Sequence, residues 1–266
     1  MRREILDSIK QALDLLKSNG PQGAAADFRE GLTDTKIRSL RLNPEHLVST
    51  RIVADGIGSQ GRYYDMLRTQ LLQEMDDNGW QFLAVTSATA GCGKSVTSCN
   101  LAVSIARLTE RSVLLVDLDM QKPKVAEYLG IKEGPGLLSV LQNEAGLADV
   151  LVEASLGRRK LMVLPGEACR TGSSEWMASQ AMVSLLQILK REFRSSIVIF
   201  DTPPLLLGDD VISVLPQMDA ALLIAGVGQT SVAEIKECQK HLKNTPVVRV
   251  VVNRVAEVGD SYYGYY

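Results

Sequence analysis

Three short stretches of this sequence carry side chains of the kind that handle phosphate. Residues 88–95 read Ala-Thr-Ala-Gly-Cys-Gly-Lys-Ser, the spacing of a phosphate-binding loop, in which four residues separate a small residue from a Gly-Lys-Ser or Gly-Lys-Thr. The small residues Ala90, Gly91 and Gly93 let successive backbone N–H groups turn inward and cradle phosphate oxygens. The backbone of Gly91, Cys92, Gly93, Lys94, Ser95 and Val96 is expected to form that cradle for a nucleotide. A helix that follows it would aim its positive end at the same anion. Lys94 would reach the terminal phosphates, and the Ser95 hydroxyl would ligate Mg2+. Cys92 enters through its backbone amide while its side chain fills a small space; no second cysteine has the spacing of an iron–sulfur ligand.

The other two stretches are apolar runs that end in carboxylates. One is Val113-Leu-Leu-Val-Asp117-Leu-Asp119-Met-Gln-Lys-Pro123, and the other is Ile197-Val-Ile-Phe-Asp201-Thr-Pro-Pro204. Carboxylates at the C-terminal ends of parallel strands lie on the rim where ligands bind. Alternation along an extended chain puts Asp117 and Asp119 on one side, facing the metal and the terminal phosphate. Ser95, Asp119 and Asp201 are the expected metal-side groups, and Asp117 is the expected acceptor of a proton from an attacking hydroxyl.

Such groups need a scaffold, and the pattern from Trp80 onward supplies one. Short apolar runs at 82–86, 113–116, 161–164, 197–200, 220–225 and 247–252 have the length and composition of strands covered on both faces. Helical stretches at 94–108, 179–192 and 232–242 fall between them. This alternation predicts an α/β fold, a mostly parallel sheet flanked by helices in three layers. Ahead of it, apolar spacing predicts helices over 3–17 and 63–78, with a mostly irregular stretch over 18–60. The expected division is an N-terminal helical and irregular region (1–60), a nucleotide-binding domain (61–256) and a tyrosine-rich tail (257–266).

Composition narrows the classes further. A formal charge of −2 and an aromatic content of 5% argue against nucleic acid as a partner. The longest apolar runs fall far short of the roughly 20 residues a membrane helix needs. Four cysteines without a disulfide-framework spacing fit a reduced, cytoplasmic protein.

Taken together, the phosphate loop, the Asp-Leu-Asp-x-x-Lys-Pro strand end and the Asp-Thr-Pro-Pro strand end resemble the bacterial tyrosine autokinases of exopolysaccharide and capsule synthesis. The likeness runs from about Tyr63 to the C-terminus, and Leu42-Asn-Pro-Glu-His-Leu47 resembles the N-terminal region of stand-alone members. It implies a P-loop NTPase fold in which Lys94, Ser95, Asp117, Asp119 and Asp201 hold Mg·ATP and transfer its γ-phosphate to tyrosine. It also implies that Asn253 lies on the adenine side, that the kinase forms a homo-oligomer, and that a membrane-bound polysaccharide co-polymerase recruits and activates it at the inner face of the membrane. Four tyrosines, Tyr262, Tyr263, Tyr265 and Tyr266, stand in the last five residues. They are the expected phosphoacceptors, and each phosphate adds about −1.5 to −2 charges, enough to push neighbouring tails apart.

The sequence also departs from the family pattern. Gln121, Ala90 and Cys92 stand where the family usually has Arg, Pro and Glu, and its ring-forming E-x2-R-x2-R aligns with Arg62-x2-Asp65-x2-Arg68. The subunit contact is expected either to survive with swapped charges or to be lost, so the oligomeric state stays open, and two other functional readings stay open beside the kinase. One is a positioning ATPase of the septum- or chromosome-partitioning type, although Thr89 stands where those keep a signature Lys. The other is a non-catalytic ATP-bound adaptor.

Overall fold

A computed structural model describes residues 37–53 and 59–255. Its strands are β1 (Arg38–Arg41), β2 (Phe82–Ser87), β3 (Ser112–Asp117), β4 (Val152–Leu156), β5 (Arg159–Leu164), β6 (Ser196–Asp201), β7 (Ala220–Gly226) and β8 (Val247–Asn253). They form one sheet in the order β1-β4-β5-β3-β6-β2-β7-β8. Six strands run parallel; β4 meets β5 antiparallel and carries β1 with it. The helices are α1 (Pro44–Ser49), α2 (Ser59–Asn78), α3 (Lys94–Ala106), α4 (Val125–Leu129), α5 (Leu137–Leu141), α6 (Leu147–Val150), α7 (Ser173–Met177), α8 (Gln180–Glu192), α9 (Asp210–Val214) and α10 (Val232–His241). None of these helices is long and apolar enough to cross a membrane.

The central strands are buried on both faces because each face has its own helical layer. In β2, Phe82 and Ala84 point into one apolar cluster with α5, α8 and α9, while Leu83 and Val85 point into another with α2 and α3. This two-residue alternation is why β2 is apolar throughout. Phe82 meets Phe200 of β6 edge to face, with ring centroids 4.9 Å apart, an arrangement worth about 0.5–1.5 kcal/mol beyond the area it buries. Helix α3 lies deep in the second layer, and all but one of its residues are buried. Helix α8 shows only one face to the core; Ser179 caps its start, and Lys190 and Arg191 stand at its negative end.

Two strands escaped the sequence pattern. β1 is a four-residue edge strand, too short to show periodicity, and it pairs with β4 from Arg38↔Val152 to Arg41↔Ser155. β4 reads Val-Glu-Ala-Ser-Leu, and its Glu153 is buried beside Lys160 at 3.0 Å. Leu42, Leu47 and Ile52 join the same core as α3, so residues before position 60 build part of the sheet and its second layer. The helix expected over 3–17 and the tail at 257–266 lie outside the described residues.

Candidate nucleotide site

The phosphate loop joins β2 to α3 at the C-terminal edge of the sheet. Gly91 and Gly93 have φ of +80° and +89°, a region that other residues enter at a cost. Gly93 is constrained twice, since a Cβ there would stand 2.2 Å from Asn253 Nδ2. Lys94 is the first residue of α3, and its ammonium sits 2.7 Å from Asp119 Oδ2 and 3.9 Å from Asp201 Oδ2. Its Nζ also lies 3.5 Å from Ser95 Oγ. Burial alone would lower the lysine pKa, but Asp201, Asp119 and Asp117 outweigh it and raise it above the ordinary value.

The three predicted aspartates converge because their strands are neighbours. Asp117 and Asp201 are register partners across β3 and β6, and both are fully buried. Asp201 is pushed above the usual carboxylate range by burial, against the pull of Lys94 and Ser98. Burial and the nearby Asp201 together push Asp117 up to about 7. Asp117 also holds the following loop, accepting from Asp119 N (3.0 Å), Lys124 N (2.9 Å) and Val125 N (3.0 Å). Asp119 fixes the same loop through Lys122 N at 3.0 Å while its other oxygen meets Lys94.

Asp201 Oδ1 accepts from Ser98 Oγ at 3.0 Å, but its buried Oδ2 has no hydrogen-bond partner. An orphaned carboxylate oxygen facing an ammonium, a Ser hydroxyl and a second carboxylate fits a hard cation, for which oxygen ligands are the rule. Among the described residues no three His, Cys, Asp or Glu side chains gather as a cage. Mg2+ takes one or two carboxylates and completes its shell with phosphate and water.

A second tier of residues shapes the loop from behind. Asn253, at the end of β8, donates to Cys92 O at 2.9 Å and closes over Gly93. The Cys92 thiol is buried against Thr89 O (3.3 Å) and Thr230 Oγ1 (3.4 Å). Burial would raise that thiol, yet hydrogen bonds with Thr230 and Thr89 hold it below its usual value. With its side-chain amide turned over, Gln229 would donate to Gly91 O at 3.3 Å and accept from Arg254 Nη1 at 3.1 Å. Gln121 donates to Asp210, which also accepts from Ser173. Sequence reasoning missed Ser98, Gln229 and Thr230. Ser98 lies one helical turn beyond Lys94, and the other two follow the end of β7, positions where spacing and strand order could have flagged them.

The altered motif of α2 folds inward. Asp65 pairs with Arg107 and Arg68, accepts from Ser104 Oγ at 2.7 Å, and so ties α2 to α3 of its own chain. Arg68 donates to Ser104 O at 3.1 Å, whereas Arg62 is exposed. The four tail tyrosines lie outside the described residues.

Comparison with known proteins agrees with this geometry. The model of the CobQ/CobB/MinD/ParA nucleotide binding domain family matches residues 83–262. EpsB of Ralstonia nicotianae (strain ATCC BAA-1114 / GMI1000), a tyrosine-protein kinase by name, is 32% identical over 206 residues, covering 75% of this chain and 26% of EpsB. The chain thus spans about a quarter of that relative's length. The tyrosine-protein kinase YwqD of Bacillus subtilis (strain 168) is 29% identical over 205 residues, covering 76% of this chain and 84% of YwqD. Among solved structures, the kinase domain of the Escherichia coli tyrosine kinase ETK superposes with a TM-score of 0.64 at 25% identity, covering 75% of this chain and 78% of that one.

Proposed function

We propose that this chain, which belongs to the CobQ/CobB/MinD/ParA nucleotide binding domain family, is an ATP- and Mg2+-dependent protein-tyrosine autokinase that regulates exopolysaccharide or capsule synthesis. The observation that carries the proposal is the convergence of Lys94, Asp119 and Asp201 behind a phosphate loop, in a chain with four tyrosines at 262–266. Tyrosine-protein kinases among the relatives, YwqD matching over most of its length, support that choice over a positioning ATPase. Thr89, where the positioning ATPases keep a signature Lys, points the same way.

Bound ATP supplies the phosphoryl group, and Mg2+ neutralises charge that develops on it. Ser95, Asp119 and Asp201 are the groups to hold the metal, and the backbone from Gly91 to Val96 is the cradle for phosphate. Lys94 places a fixed positive charge at the terminal phosphates in a site with little water, where such a charge is worth most. A tyrosine phenol has a pKa near about 10 and arrives neutral, so a carboxylate must take its proton. Asp117 is the candidate, and its three backbone N–H partners hold it still. Asn253 braces the loop beneath the base side of the nucleotide. Tyr262, Tyr263, Tyr265 and Tyr266 are the acceptors, and a neighbouring copy's cleft is where they react. A membrane-bound co-polymerase would bring the kinase to the inner face of the membrane.

The test is to incubate purified protein with Mg·ATP and probe phosphotyrosine, mapping the sites by mass spectrometry. Labelling of the tail is expected, and it should fall by at least about 10²-fold in Lys94→Met, the scale of losing one preorganised electrostatic group. ATP hydrolysis without any phosphotyrosine would favour the positioning ATPase.

A further inference from the structure

The end of the sheet opposite the phosphate loop holds a cleft of about 1060 Å³. It opens between residues 44–53, the turn from α3 into β3, and the β4–β5 hairpin. Arg51, Arg107, Arg111, Arg158, Arg159 and Lys160 all line it, and none of its lining residues carries a carboxylate. Three of the cations are partly neutralised from outside the cleft, Arg107 by Asp65, Arg111 by Asp76 and Lys160 by Glu153. Glu110 also lies near Arg111. Positive charge still predominates, because Arg51 and Arg158 are exposed and have no side-chain hydrogen bond or ion pair among the described residues. Between the cations the wall is apolar, with Val48, Leu108 and Leu156.

Arginine forks beside aliphatic surface suit an aryl phosphate: the guanidinium groups take the phosphate oxygens in pairs, and the ring rests on the apolar wall. The chain itself contains a segment of that chemistry. With Tyr262, Tyr263, Tyr265 and Tyr266 phosphorylated, residues 256–266 would carry about −6 to −8 from phosphate alone, besides Glu257 and Asp260. We infer that this cleft is a docking site for the phosphorylated tyrosine segment of a second copy of the chain. The inference rests on the autokinase reading for the origin of the phosphotyrosines.

Geometry favours a second copy over the same one. Helix α3 has 13 residues and runs from the phosphate loop to the cleft, which separates the two by about 20 Å. The segment leaves β8 at the phosphate-loop end, and five strand spacings of about 4.8 Å separate β8 from β5. The direct line, about 31 Å, passes through the sheet. Tyr266 lies 11 residues beyond Val255, about 36–40 Å at full extension, too little to travel round the body. A neighbour's segment has no such limit. Repulsion from the aspartates expels the product from the nucleotide cleft, and the basic cleft of a neighbour then captures it, so phosphorylation would link copies instead of only driving their tails apart.

The test uses a fluorescent peptide of residues 256–266, with all four tyrosines phosphorylated or none. It is titrated against the unphosphorylated full chain with saturating ADP, and anisotropy is read. Saturable binding of the phosphorylated peptide alone is expected, weakened at least about tenfold in Arg51→Glu/Arg158→Glu. Arg158→Glu by itself, at the exposed hairpin tip, should weaken it several-fold and guards against misfolding of the double variant. No binding, equal binding of both peptides, or binding indifferent to these variants would overturn the inference. So would a phosphopeptide that is ignored while vesicles rich in phosphatidylglycerol bind in a variant-sensitive way, since the cleft would then be a lipid surface. Because the phosphopeptide is synthetic, its failure to bind leaves the kinase reading standing. Absence of ATP-dependent labelling would sink that reading without bearing on this binding.

Discussion

Asp201 and Asp219 stand at opposite ends of the same sheet and behave in opposite ways. Asp201 closes β6 at the phosphate loop, where burial raises its pKa and one oxygen goes without a hydrogen bond. Asp219 precedes β7 at the far end and accepts from Gln81 N (2.9 Å), Phe82 N (2.8 Å) and Lys190 Nζ (2.8 Å). Burial would raise Asp219 too, but Lys190 and the two backbone N–H groups outweigh it and lower its pKa. Under the proposed function the first carboxylate serves a metal ion, while the second fastens the start of β2. Such a contrast is what the proposal expects between a functional carboxylate and a structural one.

The largest expected effect comes from Asp201→Asn. Phosphotyrosine formation should fall by about 10²-fold or more, the range for losing a charge aimed at the reacting phosphate. Stability of the nucleotide-free protein at pH 7–8 should hold or rise. A carboxyl whose folded pKa is raised keeps its proton longer when folded than when unfolded. Wild type therefore loses stability as pH climbs above the ordinary carboxylate range, and the variant loses less. Denaturant midpoints from pH 4 to 8 measure this, and a variant that is both inactive and strongly destabilised at pH 8 would break the comparison.

Asp219→Asn should do the reverse, costing about 2–4 kcal/mol through two backbone donors left poorly matched and a lost ion pair. Its activity per folded molecule should stay near wild type. The contribution of Asp219 is complete above the ordinary carboxylate pKa of about 3.9 and vanishes as pH falls through its lower folded value. The gap between variant and wild type should therefore close in acid. Chemical denaturation at pH 3 and pH 7 is the measurement.

Gly93→Ala sharpens the picture of the loop. The left-handed backbone costs about 1–3 kcal/mol for a non-glycine residue, and the new methyl would press on Asn253. Binding of a fluorescent ATP analogue should weaken. Adding Asn253→Ala should relieve the contact but not the backbone strain, so only part of the affinity returns.

The smallest effect belongs to the basic end. Arg158→Glu, at an exposed position without a partner among the described residues, should change stability by no more than about 0.5 kcal/mol. It should also leave the rate of peptide phosphorylation at saturating ATP unchanged. A melting scan and an initial-rate assay check both.

The local features of this protein were legible in its sequence. The glycines and lysine of the loop act within eight residues, and the apolar strands are continuous runs, so spacing alone placed Lys94, Ser95, Asp117, Asp119 and Asp201 on one rim. What depends on contacts between distant segments was not legible. Nothing in Arg62-x2-Asp65-x2-Arg68 says that Asp65 turns inward to Arg107 and Ser104, because those partners lie about 40 positions away and meet it only when α2 packs on α3. Nor does an Asp at a strand end reveal its pKa. Asp117 is pushed up because the sheet order makes β3 and β6 neighbours and helices cover both faces, excluding the water that would otherwise solvate the charge. The basic cleft likewise exists only where three separate segments meet. Local spacing chose the chemistry, and long-range packing set its electrostatics, because desolvation and Coulomb interaction depend on distance in space and not along the chain.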